Sequence, residues 1–147
     1  MIMIKAAVKG DGKKVAPLAM ELWGGHDLSE LENEFEKLIA SPENALVLIL
    51  ELCGIPAGFA QCQLRYDYVE GTDSSPVGYL EGIYISEPFR GRGYARQMLE
   101  RCQSWAVKKG CSEFASDCEI SNTQSYNFHI KTGFKEAAKI ICFTKKL

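Results

Sequence analysis

At 147 residues the chain suits one domain with a full hydrophobic core. Its 46% hydrophobic and 24% charged content is ordinary for a soluble globular protein, a net charge of −2 argues against a general nucleic-acid binder, and no apolar run reaches the roughly 18 residues of a membrane span. The N-terminus lacks the basic region, apolar core and cleavage site of a signal peptide. The six cysteines (Cys53, Cys62, Cys102, Cys111, Cys118 and Cys142) form no C-x-x-C pair and read as reduced, mostly buried thiols of a cytoplasmic protein. With only two histidines, neither near a cysteine pair, no metal site is expected.

Residues 2–8 read as a first strand and 9–13 as a glycine-broken turn. Val15, Leu18, Ala19 and Leu22 have helical spacing, broken at Trp23-Gly24-Gly25-His26. A second helix opens with the capping box Ser29-x-x-Glu32, buries Leu31, Phe35, Leu38 and Ile39, and ends at Ser41-Pro42. Residues 45–52 form a continuous apolar strand, hairpinned through the turn at 53–56 to a long strand over 57–68. The polar stretch 71–76 is a loop. A central strand over 79–85, a turn over 86–93 and a helix stopped by Gly110 follow. A short strand at 113–117, a helix over 122–132 with Gly133 after it, and a tail with β-type residues complete the chain; the tail suits one or two antiparallel strands. The order β-α-α-β-β-β-α-β-α-β predicts one α/β domain over 1–147, with a mixed, mostly antiparallel sheet and helices on both faces.

The most informative stretch is the strand, turn and helix from Tyr79 to Ala106. Ala95, Met98, Leu99, Cys102 and Ala106 share one helix face. A glycine-rich turn at a helix N-terminus offers unpaired N–H groups and the positive end of the helix dipole, which suits phosphate. No Lys-Ser/Thr follows, as a Walker A loop requires. The turn's place past mid-chain, with Ala95 as third small residue, departs from the dinucleotide fingerprint. Arg90-Gly91-Arg92-Gly93-Tyr94-Ala95 fits Arg/Gln-x-x-Gly-x-Gly/Ala, although an ordinary β–α connection can also carry such glycines.

That pattern resembles the pyrophosphate loop of the GNAT acyltransferase superfamily, which binds acetyl-coenzyme A. A second stretch, Asn122 through Ser125, Phe128, Gly133 and Phe134, resembles that superfamily's Asn-x-x-Ala/Ser…Gly-Phe signature, with His129 where a tyrosine is usual. Leu22-Trp23-x-x-His26, then Arg65-x-Asp67-Tyr68-Val69-x-Gly71-x-x-Ser74-Ser75-Pro76-Val77, then Leu80-Glu81-Gly82-Ile83, then Ala115-Ser116-Asp117 are similar to the aminoglycoside 6′-N-acetyltransferases over nearly the whole chain.

The resemblance implies acetyl transfer from acetyl-coenzyme A to an aminoglycoside 6′-amine, antibiotic resistance, and a GNAT fold splayed between two central strands. It also implies a homodimer paired through C-terminal strands. The amides of Gly91, Arg92, Gly93, Tyr94 and Ala95, with Arg90 or Arg92, would hold the pyrophosphate. The strand Ile83, Tyr84, Ile85 would pair with pantetheine and polarise the thioester. Asn122 and Tyr126 share a helix stripe with His129 that would face coenzyme A or, equally compatible with spacing, only solvent.

An alkylammonium of pKa near 10 costs about 4 kcal/mol to neutralise at pH 7, so the acceptor needs proton removal and alignment. Glu81, two residues before Ile83 and expected on its face of the strand, is a general base through water or an electrostatic anchor. Asp117 is expected across the same pocket. Glu70, Asp73 and Glu119 are weaker candidates that suit solvated loop charges. Trp23, His26, Tyr66 and Tyr68 are expected to wall the acceptor pocket, with core packing the alternative for Trp23 and a surface loop position for His26. His129 or Tyr126 would protonate the leaving thiolate, or His129 would only bind the cofactor. Two rival readings remain: acetylation of another small amine or a protein lysine, and a non-catalytic coenzyme A-binding module.

Overall fold

The computed structural model describes all residues, 1–147. Its elements are β1 (Ile2–Ala6), α1 (Gly12–Trp23), α2 (Leu28–Ile39), β2 (Ala45–Leu52), β3 (Ile55–Arg65), β4 (Val77–Ile85), a 3₁₀ turn (Glu87–Phe89), α3 (Tyr94–Lys108), β5 (Phe114–Ser116) and α4 (Thr123–Lys131). The strands lie in sequence order in one sheet. Pairing is antiparallel from β1 to β4 and parallel between β4 and β5. No helix is long and apolar enough to cross a membrane.

Strand alternation divides the core between the two faces. Val47, Ile49 and Phe59 pack against Val15, Ala19, Leu31 and Phe35 of α1 and α2. Leu48, Leu50, Cys62 and Leu80 pack against Met98, Leu99 and Cys102 of α3. The predicted mixed sheet with helices on both faces is therefore present.

Three local expectations are corrected. Helix α2 starts two residues earlier than the predicted box: its cap is Asp27, in extended conformation, which accepts from the Glu30 amide at 3.2 Å, and Ser29 and Glu32 lie inside the helix. Strand β3 stops at Arg65, and Tyr66 begins a loop tied back by a Ser75 hydroxyl bond to the Tyr66 carbonyl. The tail makes no strand; Ile140, Ile141 and Phe143 are 73%, 80% and 87% exposed. A strand needs a neighbour's N–H and C=O groups, and within one copy the tail finds none.

The fourth correction bears on the site. Gln61 lies opposite Gly82, yet Cys62 lies opposite Leu80, so β4 carries one extra residue, Glu81. This is a β-bulge, and it resets the alternation of side chains. Leu80 faces α3, and so do Ile83 and Ile85 beyond the bulge. Gly82 faces α1: a Cβ there would lie 2.7 Å from the Trp23 ring. Tyr84 packs on the same α1 side. Glu81 thus shares the face of Tyr79 and Gly82, not that of Ile83.

Strands β4 and β5 pair only at Gly78–Phe114, Tyr79–Ala115 and Leu80–Ser116. Past Leu80 they part, and the outer edge of β4 is left open.

Candidate active site

The loop between β4 and α3 is built to leave its amides free. Gly91 and Gly93 have φ of 79° and 81°, the left-handed region that glycine enters without strain. Those turns aim successive N–H groups outward at the start of α3. None of the amides from Gly91 to Arg96 donates to another protein group, whereas the Gln97 amide turns back to the Gly93 carbonyl at 3.1 Å. A Cβ at Gly91 or Gly93 would meet nothing within 4 Å, so the cradle opens onto space. Arg90 lies beside it, with Nε donating to the Ile85 carbonyl at 2.7 Å and its guanidinium over the Tyr84 ring. Arg92 is exposed.

The cradle continues into the gap. The Ser86 amide donates to the Ala57 carbonyl at 2.8 Å. Alternate residues of a strand bond to alternate sides, so Tyr84 pairs with β3 while Ile83 and Ile85 turn their backbone groups away from it. Arg90 already occupies the Ile85 carbonyl. The remaining groups of Ile83 and Ile85 face the opening left where β5 departs. An extended chain bearing amides fits such an edge as an added strand.

On the α1 face, four side chains form one cluster. Arg65 forks Glu81, with Nη2 donating at 2.7 Å and Nε at 3.0 Å. The same guanidinium lies 3.4 Å above the Tyr79 ring. The Tyr79 hydroxyl donates to Asp117. Burial, then that hydrogen bond, pushes the Tyr79 phenol well above the usual tyrosine range, which fixes it as a donor. The bond to Glu81 raises Arg65 further, so the guanidinium stays charged. The two carboxylates expected at the acceptor site, Glu81 and Asp117, are therefore joined through Arg65 and Tyr79. Nothing in the sequence marks either bridging residue for a role: Arg65 ends one long strand and Tyr79 lies inside another.

Trp23 packs and faces solvent at once. Its ring stacks on Phe35, meets Phe59 edge-on and covers Gly82, yet 43% of the residue is exposed. His26 is exposed just beyond α1. Tyr66 is exposed and donates to Asn44 at 3.3 Å, and the Tyr68 hydroxyl accepts from the Gly71 amide at 3.4 Å; neither bonds to Glu81 or Asp117. Glu70, Asp73 and Glu119 are exposed, as loop charges should be.

The predicted stripe on α4 is split. Asn122 caps the helix, accepting from the Ser125 amide at 3.0 Å, and Tyr126 is exposed. His129 turns inward. Its Nδ1 lies 2.7 Å from the Ser125 carbonyl and its Nε2 2.8 Å from Ser116 Oγ. A carbonyl only accepts, so in the neutral ring Nδ1 carries the proton and Nε2 accepts from Ser116. The ring also packs on Phe134 and Phe128. His129 thus pins the end of β5 where the sheet parts.

The geometry amounts to an anion cradle, an open strand edge and an acidic cluster along one strand. Comparisons with known proteins agree with it. Residues 13–134 match the model of the acetyltransferase (GNAT) family. An aminoglycoside N(6′)-acetyltransferase type 1 of Serratia marcescens is 38% identical, over 88% of this chain and 89% of its own. One of Stenotrophomonas maltophilia is 36% identical, over 98% and 93%. A solved structure of AAC(6′)-Iy with the bisubstrate analogue CoA-S-monomethyl-acetylneamine superposes with a TM-score of 0.93 at 35% identity, covering 100% of this chain and 99% of that one. The apo structure of AAC(6′)-IG from Acinetobacter haemolyticus gives 0.91 at 33% identity, covering 99% of each chain.

Proposed function

The chain belongs to the acetyltransferase (GNAT) family, and from that premise we propose that it moves the acetyl group of acetyl-coenzyme A to the 6′-amine of aminoglycosides. The observation that carries this is the run from the free amides at Gly91 to Arg96, along the open edge at Ile83 and Ile85, to the Glu81–Asp117 cluster. The names of the relatives and of the bisubstrate complex support the substrate class. Acetylation of that amine would make the enzyme a resistance determinant.

Each residue has a task the chemistry requires. The amides of Gly91, Arg92, Gly93, Tyr94 and Ala95, with exposed Arg92, hold the diphosphate, and Arg90 props the strand end beside it. Ile83 and Ile85 align the cosubstrate's amide chain, and their N–H groups polarise the acyl carbonyl. Asn122 orders α4, and the exposed Tyr126 contacts the cosubstrate arm. Acetyl-coenzyme A supplies a thioester: the neutral amine nitrogen forms a bond to the carbonyl carbon, the carbon–sulfur bond breaks, and the thiolate takes a proton from water. Glu81 holds and aligns the reacting amine, whose proton passes to water. Asp117 receives a second ammonium, while Trp23, His26 and Tyr66 wall the acceptor.

Thiol release should be measured against aminoglycosides with and without a free 6′-amine. Release confined to the first group is expected. Equal rates with both would overturn the regiochemistry, and release only with other amines or protein lysines would move the substrate. Tight acetyl-coenzyme A binding with no turnover would leave a binding module.

We also propose that the protein is a cytoplasmic homodimer. All six cysteines are free and three are buried, which suits a reducing compartment. The exposed β-type tail with Ile140, Ile141 and Phe143 suits pairing with a second copy. Light scattering should give twice the 16.4 kDa chain mass; a particle of one chain would refute the dimer.

A further inference from the structure

The acceptor site carries its own cation. Arg65 takes both Glu81 oxygens and rests on the Tyr79 ring, while the Tyr79 hydroxyl holds Asp117. The guanidinium is gripped from below as well as from the side, so it keeps its place when a substrate amine takes up a free lone pair of Glu81. Two carboxylates and one guanidinium leave the cluster one unit of charge less negative than the carboxylates alone.

That difference matters to a reaction whose nucleophile must be neutral. Carboxylates attract a polycationic acceptor, but each one beside the reacting nitrogen also stabilises its ammonium form. We propose that Arg65 sets the charge of the acceptor site: standing beside Glu81, it offsets the field that would hold the bound amine protonated, so that Glu81 aligns the amine while the amine can still lose its proton. Arg65 is a positioning residue, and this inference rests on the acetyl-transfer reading above.

The other groups facing the cluster do not supply the same offset. From β4 come Glu81 and neutral Tyr79, and Asp117 comes from just past β5. From β3 comes Arg65 itself; Cys62 points to the opposite, α3 face, where its thiol is buried against Cys102 and its pKa is pushed up. Helix α1 brings the Trp23 ring and Leu22 against Gly82, and its Glu21 lies further along at Tyr84. Arg90 also lies at Tyr84, bonded to the Ile85 carbonyl.

The test is the pH profile of kcat at saturating acetyl-coenzyme A and acceptor. In Arg65→Gln the acid limb should move up by about one pH unit. At pH 7 kcat should then fall about tenfold, and with an amine pKa near 10 the deficit should narrow to about twofold only as the pH approaches about 11. The acceptor KM should stay level or fall. Arg65→Lys, which keeps the charge, should keep the wild-type profile. A merely structural role would instead lower kcat equally at every pH or raise KM. Either result, or a shift in Arg65→Lys as large as in Arg65→Gln, would overturn the proposal. Coenzyme A binding by calorimetry checks the fold of each variant.

Should Arg65→Gln fail to fold, the wild type itself gives the answer. Nitrogen NMR of a labelled 6′-amine, bound with a desulfo cosubstrate, should place its pKa within about one unit of the free value, and a rise of about two units or more would refute the offset. Wild-type turnover separates the two ideas: no turnover with any 6′-amine defeats the functional reading, whereas turnover with an unmoved Arg65→Gln profile defeats only this inference.

Discussion

Glu81 and Ile83, two residues apart on β4, lie on opposite faces of the sheet. The bulge between them lets one short segment do two things. It sends a carboxylate to Arg65 above the Tyr79 ring, and two residues on it turns backbone groups into the open edge. For this reason Glu81→Gln should lower kcat/KM for an aminoglycoside by about a hundredfold, or ~2.7 kcal/mol of transition-state stabilisation. Coenzyme A affinity, read by calorimetry, should remain within about threefold, because the cradle lies beyond the bulge.

Gly82 leaves no room for a side chain. A Cβ would sit 2.7 Å from the Trp23 ring, which is itself wedged against Phe35 and Phe59. Gly82→Ala should therefore push the indole outward, raising acceptor KM by about fivefold and costing about 1–3 kcal/mol of stability. Steady-state kinetics and denaturant titration check the two effects separately. An unchanged KM would assign Trp23 to packing alone.

His129 has both ring nitrogens engaged and is packed by Phe134 and Phe128. His129→Ala should cost about 1–3 kcal/mol of stability through the lost hydrogen bonds and contacts. It should lower turnover less than about tenfold, under ~1.4 kcal/mol, because thiolate can take its proton from water. A hundredfold loss of turnover in a folded variant would make His129 a proton donor.

Tyr79 should titrate late. Its folded pKa lies above the ordinary 10.0 through burial and the bond to Asp117, so the neutral form is favoured in the native state. The associated stability is present in full below pH 10 and is lost as pH rises through the folded value. Tyrosinate absorbance should show a late component that vanishes in Tyr79→Phe, and that variant's stability should fall less steeply in alkali. A wild-type titration with no late component would contradict the Asp117 contact.

What could be read from the chain alone was what is written in consecutive residues. The strand, the Gly91 and Gly93 turn and the apolar face of α3 fall within one stretch, where local geometry determines which groups point where. Glu81 and Asp117 are legible as candidate carboxylates, but the direction of Glu81 is not, since the bulge is visible only from the partner strand's register. The Arg65–Glu81 fork joins residues 16 apart in sequence through that register, and no periodicity reports it. The start of α2 missed because Asp27 and Ser29 are both good caps, and only the backbone at Asp27 decides between them. The tail's β-type residues suggest strands that the structure does not contain, because a strand is a property of two partners.

The parting of β4 from β5 has a mechanical consequence. Only three residue pairs tie β5 to the rest of the sheet, so β5, α4 and the tail form a loosely stitched C-terminal segment of the molecule. Amide hydrogen exchange should be fastest there in the free protein. A cosubstrate lying along the Ile83–Ile85 edge closes the seam, and at about 100 times its Kd it adds about 2.7 kcal/mol to the native state. Catalytic readiness and resistance to heat would then rise together with cosubstrate supply, and a starved protein would be the one most exposed to proteases.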